Sequence, residues 1–96
     1  MASGYQIIAA DGVVGTSGTP KILYGVNWVS DGTAGVMKVY DGSSTGGTLI
    51  WQETGVVNVG VTRNFGGTEG VMCPNGIYLD IDSHDVFVAV YYKEVK

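Results

Sequence analysis

From Lys21 onward the chain is written in short runs whose apolar residues fall at every second position, each run closed by Gly, Asp, Asn or Pro. A two-residue period puts successive side chains on opposite faces of an extended strand. Such a chain folds into strands joined by tight turns. Ile22/Tyr24/Val26/Trp28 alternate with Leu23/Gly25/Asn27/Val29, and the first, fully apolar set is expected to face a core. Val57/Val59/Val61 give a second apolar face. Ile77/Leu79/Ile81 alternate with Tyr78/Asp80/Asp82, and Val86/Val88/Val90 with Phe87/Ala89/Tyr91. Asp11-Gly12, Asp31-Gly32, Pro74-Asn75-Gly76 and Ser83-His84 supply turns, with Asp31-Gly32 expected to close a hairpin.

The residue supply agrees with the pattern. Val, Ile, Thr, Tyr, Phe and Trp make up 39 of the 96 residues, whereas Leu and Met together provide six. That balance excludes a helical bundle. A first strand is expected at Tyr5-Gln6-Ile7-Ile8-Ala9, and Gly66-Gly67-Thr68-Glu69-Gly70 reads as a loop. About eight strands at roughly ten-residue spacing describe one all-β domain over residues 1–96 with no significant helix. The expected architecture is a single antiparallel β-sandwich, jelly-roll-like or Greek-key.

Charge narrows the function. Five Lys+Arg against nine Asp+Glu leave a net charge of −4, the wrong sign for gripping nucleic acid. No apolar run reaches bilayer length, and Met1-Ala2-Ser3-Gly4-Tyr5-Gln6 lacks the basic, apolar form of a signal peptide, so neither a membrane nor export is expected. Cys73 is the one cysteine and cannot staple the fold, which favours a reducing compartment.

Two constellations could carry chemistry. Asp80, Asp82 and Asp85 stand within six residues of one another beside His84, and their oxygens would suit a hard cation. They lack the spacing of a calcium loop, and a hairpin whose Asp and Ser side chains bond their own backbone accounts for them better. A hydrolytic site would have to use His84, with Cys73 or a serine as nucleophile, and no residue nearby marks one as activated. No catalytic residue, resident metal or cofactor is expected. The aromatic residues Tyr24, Trp28, Tyr40, Trp51, Tyr78, Phe87, Tyr91 and Tyr92 fit core and rim positions, and could also form a sugar-stacking platform.

Charged residues amount to 15% of the chain, against about 25% in a typical domain, and its mean hydropathy is positive. A domain this small keeps much surface exposed, so some of that surface is expected to be covered by a partner, first of all by other copies of the chain. Trp28, Trp51, Tyr91 and Tyr92, placed near strand ends, are the candidate contacts.

Gly35-Val36-Met37-Lys38-Val39-Tyr40-Asp41-Gly42, Gly47-Thr48-Leu49-Ile50-Trp51, Asn75-Gly76-Ile77-Tyr78-Leu79-Asp80-Ile81 and Val86-Phe87-Val88-Ala89-Val90-Tyr91-Tyr92 follow one another as strand, Tyr-Asp turn, apolar strand with Trp, Gly-Ile-Tyr-Leu and closing Val/Tyr strand. In this cadence the chain resembles small all-β structural proteins of tailed bacteriophages, of the capsid decoration, cement or head–tail type. The resemblance covers most of the chain after Lys21. It implies a non-enzymatic virion component that self-associates or binds a larger viral shell protein, found in the virion or in host cytoplasm before assembly. A carbohydrate-binding or adhesin-like β-sandwich module is the alternative.

Overall fold

The computed structural model describes residues 3–8, 11–65 and 69–95. Ala9 and the Gly66-Gly67-Thr68 stretch, placed above in a strand and a loop, lie outside the described residues, as do Met1 and Ala2. Nine strands are present among the described residues: β1 (Ser3–Ile8), β2 (Gly12–Val14), β3 (Lys21–Ser30), β4 (Val36–Asp41), β5 (Thr48–Thr54), β6 (Gly60–Asn64), β7 (Val71–Cys73), β8 (Ile77–Ile81) and β9 (Asp85–Glu94). The first sheet runs β1-β9-β3-β6, with β7 also on β3, and the second runs β2-β8-β4-β5. Every pairing is antiparallel.

Strand β6 lies along Gly25–Val29 and β7 along Lys21–Leu23, so the two fill one edge position between them. The strands then pair as nested couples: β1 with β9, β2 with β8, β3 with β6 and β7, β4 with β5. This is one long hairpin rolled up on itself. The fold is an all-β jelly-roll sandwich.

Nesting overturns the expected hairpin at Asp31-Gly32. Those residues carry the chain from β3 in the first sheet to β4 in the second. An Asp-Gly pair specifies a tight turn but not which sheet receives the next strand. Here the Asp31 carboxylate accepts Thr33 N–H at 2.9 Å and the Ser30 hydroxyl accepts Gly35 N–H at 3.1 Å, which satisfies the crossing without pairing the strands.

Two alternations also break. In β3 the inward residues are Lys21 and Leu23, then Val26, Trp28 and Ser30, so Ile22 and Tyr24 are not core residues. The register with β9 slips between Leu23 and Gly25, leaving Tyr24 as the extra residue of a bulge that reverses the phase. Its carbonyl accepts Phe65 N–H at 2.9 Å. A Cβ on Gly25 would stand 2.7 Å from the Arg63 carbonyl oxygen, so the close passage of β6 requires glycine there. The second break lies at Val56–Val59. Val59 N–H bonds the Val56 carbonyl at 3.1 Å, and Asn58 takes a positive φ of 58°. That tight turn exposes Val56, Val57 and Val59 and leaves Val61 as the core residue of the run.

Between the sheets, Leu23, Val26, Trp28, Val88 and Val90 of the first meet Val14, Met37, Val39, Ile77 and Leu79 of the second, all fully buried. Each such side chain stabilises the fold by about 1.5–3 kcal/mol relative to leaving it exposed. Trp28 meets Trp51 edge-on at 5.4 Å, and Trp51 meets Phe65 edge-on at 5.3 Å. These rings close the β5/β6 side of the core. Outside them Arg63 is paired with Glu53, which ties the edge of one sheet to the edge of the other.

Candidate functional site

Of the four residues expected to contact a partner, Trp28 is excluded. It is fully buried in the core because its strand phase, after the bulge, points between the sheets. Trp51 and Tyr92 are partly buried and packed against that core. Tyr91 stands on the outer face of the first sheet with 42% of its surface exposed.

The ladder register defines what surrounds Tyr91. Phe87, Val29 and Gly60 form one row across β9, β3 and β6, Ala89, Asn27 and Thr62 the next, and Tyr91, Gly25 and Asn64 the third. None of these nine residues carries a charge. Phe87 is 40% exposed, its neighbour Val86 is 59% exposed, and Val29 lies beside the bare Gly60. The register sets Ile7 of β1 opposite Ala89 and Tyr5 opposite Tyr91. Phe87, Val86 and Val29 were not among the four expected contacts, and Phe87 entered only with the other aromatic residues, though β9 carried a signal. It is apolar in both phases, whereas a sandwich strand with one wet face alternates apolar and polar.

The opposite outer face has a different character. Lys38 and Asp80 are cross-strand partners there. With Val36, Ile81 and Asp82 they line a shallow groove of about 200 Å³. Tyr40 and Tyr78, the next such pair, hold their rings 6.5 Å apart.

The acidic run is divided by the fold. Asp80 and Asp82 line the groove, while Asp85 is buried at the β8–β9 crossing. Asp82 accepts His84 N–H on Oδ1 and Val36 N–H on Oδ2, both at 2.8 Å, so its oxygens are engaged by backbone. Among the described residues no group of three or more His, Cys, Asp or Glu is arranged to hold a metal ion. The hydrolytic combination is likewise dispersed. His84 Nδ1 meets Asp31 at 3.1 Å beside the Ser30–Asp85 end of the β3–β9 ladder. Cys73 is buried opposite Lys21 at the other end, about 30 Å away by strand rise. Burial pushes the Cys73 thiol up to about 11, which keeps it from acting as a thiolate at neutral pH.

Comparison with protein-family models, with curated proteins and with solved structures found no match. The two sheet faces therefore carry the functional reading.

Proposed function

We propose that this chain is a non-enzymatic structural protein, of the phage decoration or cement type, that works by burying the outer face of its first sheet against further copies of itself or a larger shell protein. The observation that carries this reading is the block of nine uncharged residues with Phe87, Val86 and Tyr91 exposed on and beside it. Large exposed apolar side chains grouped on a charge-free sheet face favour desolvation by a partner.

Area sets the kind of assembly. Three strands at about 4.8 Å spacing and a five-residue length make a face of roughly 200–300 Å². A stable pairwise interface needs about 800 Å² per partner. One face-to-face contact is too small, so the reading calls for a shell or ring in which each copy makes several contacts. The exposed Val56–Val59 turn, next along the chain from Gly60, supplies further apolar surface for that.

Phe87→Glu puts a charge within the contact while changing an exposed position. The expected result is a shift of solution mass toward monomer, or loss of incorporation into particles, with melting temperature nearly unchanged. Light scattering after gel filtration reads the first and sedimentation of particles the second. The reading is overturned if Phe87→Glu and Tyr91→Ser leave both unchanged.

The Tyr40/Tyr78 pair beside the Lys38/Asp80 groove favours a second reading, a carbohydrate-binding module on the opposite face. Tyr78→Ala abolishes binding across a glycan panel if this reading holds. A panel with no binding to the wild type removes it.

A further inference from the structure

At the Ser30–Asp85 end of the sandwich two crossings lie against each other. One follows β3 and the other precedes β9. Asp31 N–H bonds the His84 carbonyl at 2.9 Å, Val36 N–H bonds Asp82 Oδ2, and Asp82 N–H bonds Asp85 Oδ2 at 3.1 Å. The Asp85 side chain is thereby fixed inward, and the residue is 4% exposed. Its second oxygen, Oδ1, is buried with no hydrogen-bond partner. A Cβ placed on Gly35 would collide with this oxygen and stand 2.8 Å from Asp82 Oδ1, so the two carboxylate oxygens converge on one spot. A buried, ionised carboxylate with an empty acceptor facing a second carboxylate is costly, and a proton between them removes the cost.

We propose that Asp85 is a proton-operated latch: its protonated carboxyl donates from Oδ1 to Asp82 and locks the β3–β4 and β8–β9 crossings together, and ionisation loosens that corner. The groups around it fit the assignment. Asp82 and His84 face it from its own turn and Asp31 from the β3–β4 crossing, while Ser30, Gly35 and Gly55 beside it are neutral. Asp11 reaches the end of β8 by accepting Ile81 N–H at 2.7 Å, and Lys38 and Asp80 line the groove with Asp82 on its solvent side. Burial is the largest influence on Asp85 and raises its pKa above the ordinary 3.8; Asp82 and Asp31 add to this, against the Asp82 amide and His84. A raised folded value means that the contribution to stability is full below pH 3.8 and is lost as pH rises through the folded value. Val86 and Phe87 follow Asp85 directly, so the latch sits at the root of the uncharged face, although its action does not depend on assembly.

The test is made on dilute protein, so that association does not enter. Carbon-13 NMR of the Asp85 carboxyl in the wild type is expected to show titration above pH 3.8. Asp85→Asn keeps an oxygen for the Asp82 amide and offers a permanent N–H donor toward Asp82 Oδ1. It is expected to raise the melting temperature at pH 7.5 by about 5 °C, with the gain shrinking as the pH falls. Titration of Asp85 at or below 3.8, or a gain from Asp85→Asn that is as large below pH 3.8 as at pH 7.5, overturns the latch.

Discussion

The β3–β9 ladder buries an ionisable side chain at each end, and the two ends satisfy it differently. At the start of β3, Lys21 is fully buried, and its ammonium donates to the Thr16 carbonyl and, at 3.0 Å, to the Thr19 carbonyl. Glu94, its register partner, adds a favourable charge and accepts Thr16 N–H at 3.2 Å. Burial still lowers the Lys21 pKa, and Glu94 acts against that drop. At the finish of β3, Asp85 has one backbone donor, two acidic neighbours and an orphaned oxygen. Trp28 Nε1, close to Gly55 and Ser30 at the same end, is also buried without a partner. A buried charge is tolerated where surrounding dipoles complete its hydrogen bonds, and where they do not it surrenders its charge to a proton.

Breaking the complete end is expected to have the largest effect. Lys21→Ala removes the ammonium donor from the Thr16 and Thr19 carbonyls, leaving Thr16 only the Thr19 N–H at 3.4 Å, and takes the cation from beside Glu94, a loss of about 3 kcal/mol in chemical unfolding. Cys73, opposite Lys21, reports on the same end. Its thiol in the wild type is expected to react with a disulfide reagent only at the rate of unfolding, and in Lys21→Ala many times faster. Equal reactivity in the two proteins would mean that Lys21 does not hold this end closed.

The incomplete end should respond less to a neutral truncation. Ser30→Ala removes the hydroxyl that accepts Gly35 N–H at 3.1 Å, an expected loss of about 1 kcal/mol by urea unfolding. A loss as large as that from Lys21→Ala would erase the distinction between the ends. The two acids here also oppose one another in pH. The Thr33 amide, then His84, lowers the Asp31 pKa, so its contribution is present at neutral pH and lost as pH falls through the folded value, the reverse of Asp85.

The smallest effect belongs to the open side, away from both ends. Glu53→Gln unpairs Arg63, but the pair is solvent-exposed and screened, so thermal unfolding should shift only slightly and not at all in molar salt. A large loss that survives salt would place this clamp on a par with the ladder ends.

Much of this was legible in the residues. Ile77, Leu79 and Ile81 follow a strict two-residue alternation and are buried as it requires. The Tyr24 bulge was not legible, because a slip of phase depends on the register with β9, the last strand of the chain. The candidate face was half legible. Tyr91 was marked by its aromatic ring, while Phe87 and Val29 became part of a face only when β9 and β3 were set side by side.

Composition and period by themselves determined the all-β class, the number of strand positions and the scarcity of charge, since side-chain alternation and backbone turn preference act within a few residues. Tertiary structure decided the nesting of the strands, the sheet entered at each turn, the burial of Trp28 and the meeting of Val36 with Asp82. Those depend on contacts between residues far apart in sequence, whose geometry no local preference encodes.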